Sequence, residues 1–405
     1  MNAFKEMGLP EALTHTLQHM QFNEPTPIQA EAIPLALKGQ DILGSAQTGT
    51  GKTGAFGIPL IAKLLSNPRG SALVMTPTRE LATQVMTQLQ AMLGRKSKIN
   101  TALLIGGESM PKQLTQLRNG PRVIVGTPGR INDHLQRGSF MLNDTDFLVL
   151  DETDRMLDMG FTIQIENVMK YMVKKPQTLL FSATLPKNIV RISQKYLNNP
   201  ARVAVSPASS PAVKIKQDTL KISEADKYPN LLSQLDERKG SVIIFVKTKY
   251  GTAKMAKKLS KEGHSADAIH GDLRQNKRDR VITAFRNKKY RILVATDVAA
   301  RGLDIPHIEH VINYDLPQCA EDYIHRIGRT ARAGAEGSAL NLVTPIDKSK
   351  WHAIDRLLNP GVEHTKTTNS NKKRNFNNKH KSDSKPFHKK KNKDNRKRTS
   401  SKQAA

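Results

Sequence analysis

The 405-residue chain carries 64 Lys and Arg against 36 Asp and Glu, a formal charge of +28, with 38% hydrophobic residues and a single cysteine, Cys319. That length and apolar content suffice for two or three cored domains, and one thiol excludes the internal disulfide framework of a small secreted protein. No window approaches a membrane-spanning apolar run, and the opening MNAFKEMGLPEAL is acidic where a signal peptide would be basic and then apolar, so a cytoplasmic setting is expected, with a polyanionic partner, nucleic acid ahead of anionic membrane.

Along the chain, short β-branched or Leu-rich runs alternate with longer helix-like stretches, the pattern of βαβ units and parallel sheets. The first set of predicted strands is residues 41–45, 72–75, 123–125, 147–150 and 178–181. The small residues and prolines of 206–212 then predict a linker. A second set follows at 241–246, 291–295, 310–314 and 338–343, with a helix predicted over 252–262. From 361 to 405 there are 15 basic residues against three acids, +12 in 45 residues, with Phe376 and Phe387 as the aromatics. Such a stretch buries too little apolar surface to offset its chain entropy, so a disordered basic tail is expected. The expected organisation is therefore one domain over 1–205, the linker 206–212, a second domain over 213–360 and the tail 361–405.

Ala46-Gln47-Thr48-Gly49-Thr50-Gly51-Lys52-Thr53 follows the first predicted strand and precedes the apolar, helix-like stretch 56–65, the context a phosphate-binding loop requires. Gly49 and Gly51 let backbone N–H groups approach a polyphosphate, and the following helix N-terminus adds its positive dipole end. Lys52 then reaches the β- and γ-phosphates, and the Thr53 hydroxyl suits Mg²⁺. Ala46 departs from the general pattern, which begins with Gly. About a hundred residues on, the apolar run 147–150 leads into Asp151-Glu152-Thr153-Asp154. Acids after a strand also suit a helix cap, but beside a phosphate loop they suit chemistry. Asp151 is the expected metal residue and Glu152 the base that orients and deprotonates a water facing the γ-phosphate.

With these strings the chain resembles the DEAD-box family of RNA-dependent ATPases over nearly all of residues 1–350. Phe4 and Phe22-Asn23-Glu24-Pro25-Thr26-Pro27-Ile28-Gln29 resemble that family's adenine-recognition motif, which implies that Gln29 pairs with the adenine edge while the upstream Phe stacks on the ring. A side-chain amide donates and accepts at once, which suits adenine and rejects guanine. Gln21 stands where the family commonly has Gly. Pro77-Thr78-Arg79, Gly106-Gly107 and Thr127-Pro128-Gly129-Arg130 are similar to loops that grip the RNA backbone, and hydroxyls, loop N–H groups and arginines position a strand without reading its sequence. Ser182-Ala183-Thr184 resembles the string that couples Asp154 and the second domain to hydrolysis.

In the second half the matches are Phe245, His270-Gly271-Asp272, Gln275, Arg278, the run from Ala295 to Asp304, and His325-Arg326-Ile327-Gly328-Arg329-Thr330-Ala331-Arg332. The resemblance implies RNA contacts for Gln275, Arg278, Thr296 and Asp297, and nucleotide contacts for Gly302 and Asp304. It makes Arg329 and Arg332 the fingers that stabilise phosphoryl-transfer charge, with His325 linking to the acidic motif. Thr153 stands where Ala is expected. The implied protein has two tandem RecA-like α/β domains with parallel sheets. It uses ATP and Mg²⁺, and it binds single-stranded and duplex RNA through sequence-independent backbone contacts. Candidate partners beyond RNA are ribosomal precursors or RNA-decay proteins, and the short chain is most similar to small bacterial RhlE-type members. A DNA translocase and an RNA clamp that only locks on ATP remain the alternatives; the adenine-type motif argues against the first, and the full set of Lys52, Glu152 and Arg329 against the second.

Overall fold

Strands apolar on both sides are stable only inside a parallel sheet covered by helices on each face, and the runs expected from the sequence occupy that position. The structure, a computed structural model, describes residues 3–46, 49–183, 187–204, 215–300, 303, 305, 307–331 and 336–359. The expected linker and tail lie outside these residues, as do Gln47, Thr48, Thr184, Gly302, Asp304 and Arg332.

The first half runs α1 (Glu11–His19), α2 (Pro27–Leu37), β1 (Ile42–Ser45), α3 (Lys52–Ser66), β2 (Ser71–Met75), α4 (Arg79–Leu93), β3 (Thr101–Leu104), α5 (Met110–Arg118), β4 (Val123–Gly126) and α6 (Pro128–Gln136). It continues with β5 (Thr145–Leu150), α7 (Thr153–Asp158), α8 (Thr162–Lys170), β6 (Gln177–Ser182), α9 (Lys187–Tyr196) and β7 (Ala201–Ala204). Its parallel sheet has the order β3-β4-β2-β5-β6-β1-β7. Alternate residues of one strand feed opposite cores: Val74, Phe147 and Val149 one, Leu73, Leu148 and Leu150 the other.

The second half runs β8 (Ile215–Lys221), α10 (Lys227–Glu237), β9 (Ser241–Phe245), α11 (Lys249–Lys261), β10 (Ala266–Ile269), α12 (Gln275–Arg286), β11 (Ile292–Ala295) and α13 (Asp297–Ala300), then β12 (Ile308–Asn313), α14 (Ala320–Ile327), β13 (Gly337–Val343) and α15 (Lys348–Leu358). Its sheet, also parallel, has the order β10-β11-β9-β12-β13-β8. Two parallel-sheet α/β domains are thus present. Every predicted strand is found to within two residues at either end, and the predicted helix 252–262 is α11. Four strands were not expected: β3, β7, β8 and β10, the two edges of each sheet. Parallel order brings the loops after β1, β2, β3, β4, β5 and β6 to one side of the first sheet, where ligand crevices form in such folds. Among the described residues no helix is long and apolar enough to cross a membrane.

Candidate active site and nucleic-acid cleft

The loop after β1 and the first turn of α3 line a cleft of about 300 Å³ together with Phe22, Gln29, Asp151 and Glu152. Its floor depends on a glycine. Gly51 caps α3 with φ 91°, and a Cβ there would sit 2.6 Å from Gln29 Nε2, so both conformation and space require its absence. Gln29 holds the loop from α2: its amide nitrogen donates to Gly51 O at 2.9 Å, and its oxygen accepts from Thr26 N at 3.0 Å. Phe22 lines the cleft, whereas Phe4 is fully buried and meets Phe22 edge-on, 5.9 Å between centroids. Of the two rings, only Phe22 reaches the cleft, with Phe4 packed behind it. Gln21, where Gly was the expected family residue, adopts φ 62°, the left-handed conformation that Gly takes without strain.

Lys52 is 6% exposed, and among the described residues its buried ammonium has no hydrogen-bond partner; Asp151 Oδ1 lies 4.0 Å away. A buried cation held this way is an unanswered demand for an anion, which a phosphate meets. Burial lifts the Asp151 carboxyl to about 6, Lys52 working against that rise and Glu152 adding to it. Glu152 follows in left-handed geometry, φ 49° and ψ 51°, which turns the chain from β5 into α7. A carboxylate dehydrated by burial suits a divalent cation that keeps its own waters and phosphate ligands, so the donor set of Asp151 and the Thr53 hydroxyl fits Mg²⁺. Asp154 joins two motifs, accepting from Arg155 N at 3.0 Å and from Ala183 N, beside Ser182, at 3.1 Å. The unexpected hydroxyl of Thr153 is buried and donates to Leu150 O at 3.1 Å, so Thr replaces Ala here without an unsatisfied polar group.

The same cleft is closed by the second domain. Arg329, 5% exposed, lines it with Leu303, and its guanidinium donates to Leu303 O at 2.7 Å and to His325 O at 3.1 Å. His325 lines an adjoining small cavity with Glu152 and Arg155, which brings together the predicted link and the acidic motif. Arg155, unmarked in the sequence, forms an ion pair with Asp322 of α14 across the two sheets; Asp158 is 3.5 Å away on the exposed side. Arg326 clamps Asp297 with Nε and Nη2, at 2.5 and 2.7 Å, and lies over the Phe245 ring. Asp297, an expected RNA contact, is thus held by Arg326 of its own domain.

A second cleft, about 410 Å³, is lined by Thr78, Arg79, Gly106, Thr127, Gly129 and Arg130 among others, so the three first-domain loops expected to grip RNA converge. Thr78 caps α4 by accepting from Leu81 N, and Pro128 begins α6. Gly107 has φ 81°, and a Cβ there would meet the Arg79 guanidinium at 2.4 Å. From the second domain come Gly271, Arg278 and Val298; Thr296 is buried. Gln275 and Arg278 are mostly engaged across the domains: Arg79 donates to Gln275 at 3.2 Å, and Arg278 pairs with Glu80 at 2.7 Å. Glu80 and Arg155 were missed. An acid inside a string of phosphate-binding residues, as in Pro77-Thr78-Arg79-Glu80, is the available signal for a cationic protein partner.

A family model described as DEAD/DEAH box helicase matches residues 26–192, and one described as Helicase conserved C-terminal domain matches residues 225–334. The DEAD-box ATP-dependent RNA helicase CshA of Geobacillus kaustophilus is 44% identical over 368 residues, covering 90% of this chain and 79% of that protein. The structure is similar to that of S. cerevisiae Dbp5 bound to RNA and ADP BeF3, with a TM-score of 0.78 at 34% identity over 89% of this chain and 93% of the other. It is also similar to Mss116p bound to ssRNA and AMP-PNP, with a TM-score of 0.79 at 29% identity over 88% and 76%. The sequence relative is a CshA protein, so the narrower RhlE-type resemblance is not carried forward.

Proposed function

The chain belongs to the DEAD-box family of ATP-dependent RNA helicases, ATP-hydrolysing enzymes that unwind or remodel RNA, and we propose that its two domains divide the work as follows. The first domain binds ATP, with Phe22 against the base, Gln29 at the adenine edge and the loop N–H groups with Lys52 on the phosphates. Asp151 and Thr53 are the residues that would hold Mg²⁺, which when bound neutralises phosphate charge. Glu152 orients a water on the γ-phosphate and takes its proton. Arg329 enters from the second domain and stabilises the charge that develops as ATP and water become ADP and phosphate.

The observation that carries this reading is the presence of Lys52, Glu152 and Arg329 around one cleft although 277 positions separate the first from the last. Such a site is complete only when the domains are together. RNA held by Arg79, Thr127 and Arg130 from one side and by the Gly271 and Val298 loops from the other favours the same closed state, so RNA and ATP each raise affinity for the other. A duplex strand bent to fit that cleft loses its partner locally, and phosphate release reopens the domains. The division into 1–205, 206–212, 213–360 and 361–405 is part of the proposal, the last segment adding sequence-independent phosphate attraction. ATPase turnover measured with RNA or DNA as activator tests it. Stimulation by RNA together with unwinding of a short duplex is expected, and equal stimulation by DNA would overturn the RNA assignment.

A further inference from the structure

Helix α11 has a buried side made of Thr252, Met255, Ala256 and Leu259. Its outer side carries Tyr250, Lys254, Lys257 and Lys261, all exposed, with Tyr250 at 77%. Steps of four, three and four residues place these four side chains in one row, about 16 Å from end to end at 1.5 Å per residue. From Thr248 to Lys261 there is no acidic residue. Among the described residues, Lys254, Lys257 and Lys261 pair with no carboxylate, whereas Lys258 lies over the Tyr228 ring and Lys249 pairs with Asp272 at 2.5 Å. A large aromatic exposed at one end of such a row serves no core, and an aromatic face with phosphate-spaced cations is the composition of a single-strand platform.

The row is continuous with the RNA cleft. α11 begins immediately after β9 on the loop side of the second sheet, and Lys249 packs against Gly271, where a Cβ would lie 3.5 Å from Lys249 Cε. Gly271 itself lines that cleft. The row therefore starts one residue beyond Lys249, which touches the Gly271 loop of the cleft, and runs along α11 from there. We propose that Tyr250, Lys254, Lys257 and Lys261 form an RNA-binding track for the single strand leaving the cleft, Tyr250 stacking on a base and the three lysines following its phosphates. This inference rests on the assignment of the cleft to RNA. It adds that RNA beyond the cleft is held by the second domain at a place none of the helicase motifs includes.

The test uses the full chain, so that residues 361–405 contribute equally to every protein compared. Binding of a hexauridylate and of a 25-nucleotide oligouridylate is measured with AMP-PNP over a range of salt, for the parent, for Lys254→Gln/Lys257→Gln/Lys261→Gln and for Tyr250→Ala. The triple variant is expected to bind the hexamer within about twofold of the parent. It should bind the 25-mer about tenfold more weakly at low salt, with a log–log salt slope smaller by about 2, as three lost phosphate contacts on a single strand require. Tyr250→Ala should weaken the 25-mer about fivefold or more and leave the salt slope unchanged. With 4-thiouridine in the RNA, crosslinks to Tyr250 are expected from the 25-mer and not from the hexamer. Equal losses on both lengths would locate the effect in the cleft or the fold, and unchanged 25-mer binding would make the row a solvated surface; either result overturns the track. A parent that fails to bind the hexamer removes the RNA cleft itself, and the track with it.

Discussion

Replacing Arg155 by glutamine removes the cation that joins the two domains beside Glu152. Arg155 is 2% exposed and Asp322 is 8% exposed, and breaking a buried pair from one side costs about 3–5 kcal/mol because a charge is left uncompensated. Asp322 keeps a thiol contact from Cys319 at 3.1 Å, which offsets part of that penalty and favours the lower end of the range. About 3 kcal/mol is roughly a hundredfold in an equilibrium constant. The pair joins residues of opposite sheets, so the loss falls on the closed state and spares the nucleotide site of the first domain. RNA affinity should thus gain from AMP-PNP about a hundredfold less in Arg155→Gln than in the parent, while AMP-PNP affinity without RNA changes little. Exchanging the charges, Arg155→Asp with Asp322→Arg, should restore part of the coupling. A single variant with coupling within about twofold of the parent, or one that loses nucleotide affinity to the same degree, would refute the reasoning.

Lys52→Ala and Glu152→Gln should inactivate in different ways: the first weakens ATP binding, while the second retains ATP and RNA together and hydrolyses some ~10²–10⁴-fold more slowly. Filter binding alongside turnover separates them, and a Glu152→Gln enzyme within about threefold of the parent would assign the base wrongly. Gln21→Gly removes a left-handed strain that costs about 1–2 kcal/mol but adds unfolded-state entropy, so a net gain of up to about 1 kcal/mol in thermal unfolding is expected; a fall in Tm would contradict it. The raised Asp151 carboxyl binds its proton more tightly in the folded state than in the unfolded one. In metal-free and nucleotide-free protein it thus stabilises the fold below about pH 4, and that contribution, on the order of 3 kcal/mol, is lost as pH rises through about 6. Asp151→Asn should flatten this part of the stability profile, and an unaltered profile would place the titration elsewhere.

The sequence disclosed what lies along the chain better than what meets across it. Interior strands such as Phe147 to Leu150 and Ile243 to Phe245 are buried on both faces and read as unbroken apolar runs. β8 contains Lys216, Gln217, Asp218 and Thr219 because an edge strand meets water on one side, so it lacks the apolar run that marks the interior strands. The residues proposed to carry chemistry lie in short strings fixed by one loop each, so the sequence picks out Lys52, Asp151, Glu152 and Arg329, which the structure gathers around one cleft. Contacts supplied by the other domain were not legible: nothing local to Arg278 and Gln275 announces that they also bond Glu80 and Arg79. Within the second domain too, nothing local announces that Arg326, 29 positions on, takes both oxygens of Asp297.

Closure of the two domains around the nucleotide is tested most directly by Arg329→Ala. This arginine comes from the second domain, while Gln29 and Lys52 remain on the first. ATP affinity in the absence of RNA should therefore change little. Single-turnover hydrolysis with saturating RNA should fall by about 10³-fold or more, the usual contribution of an arginine finger, and Arg329→Lys should recover little because a point charge does not reproduce the planar fork. A variant that binds ATP poorly yet hydrolyses what it binds at the parental rate would contradict the account, since Arg329 would then act only on the ground state.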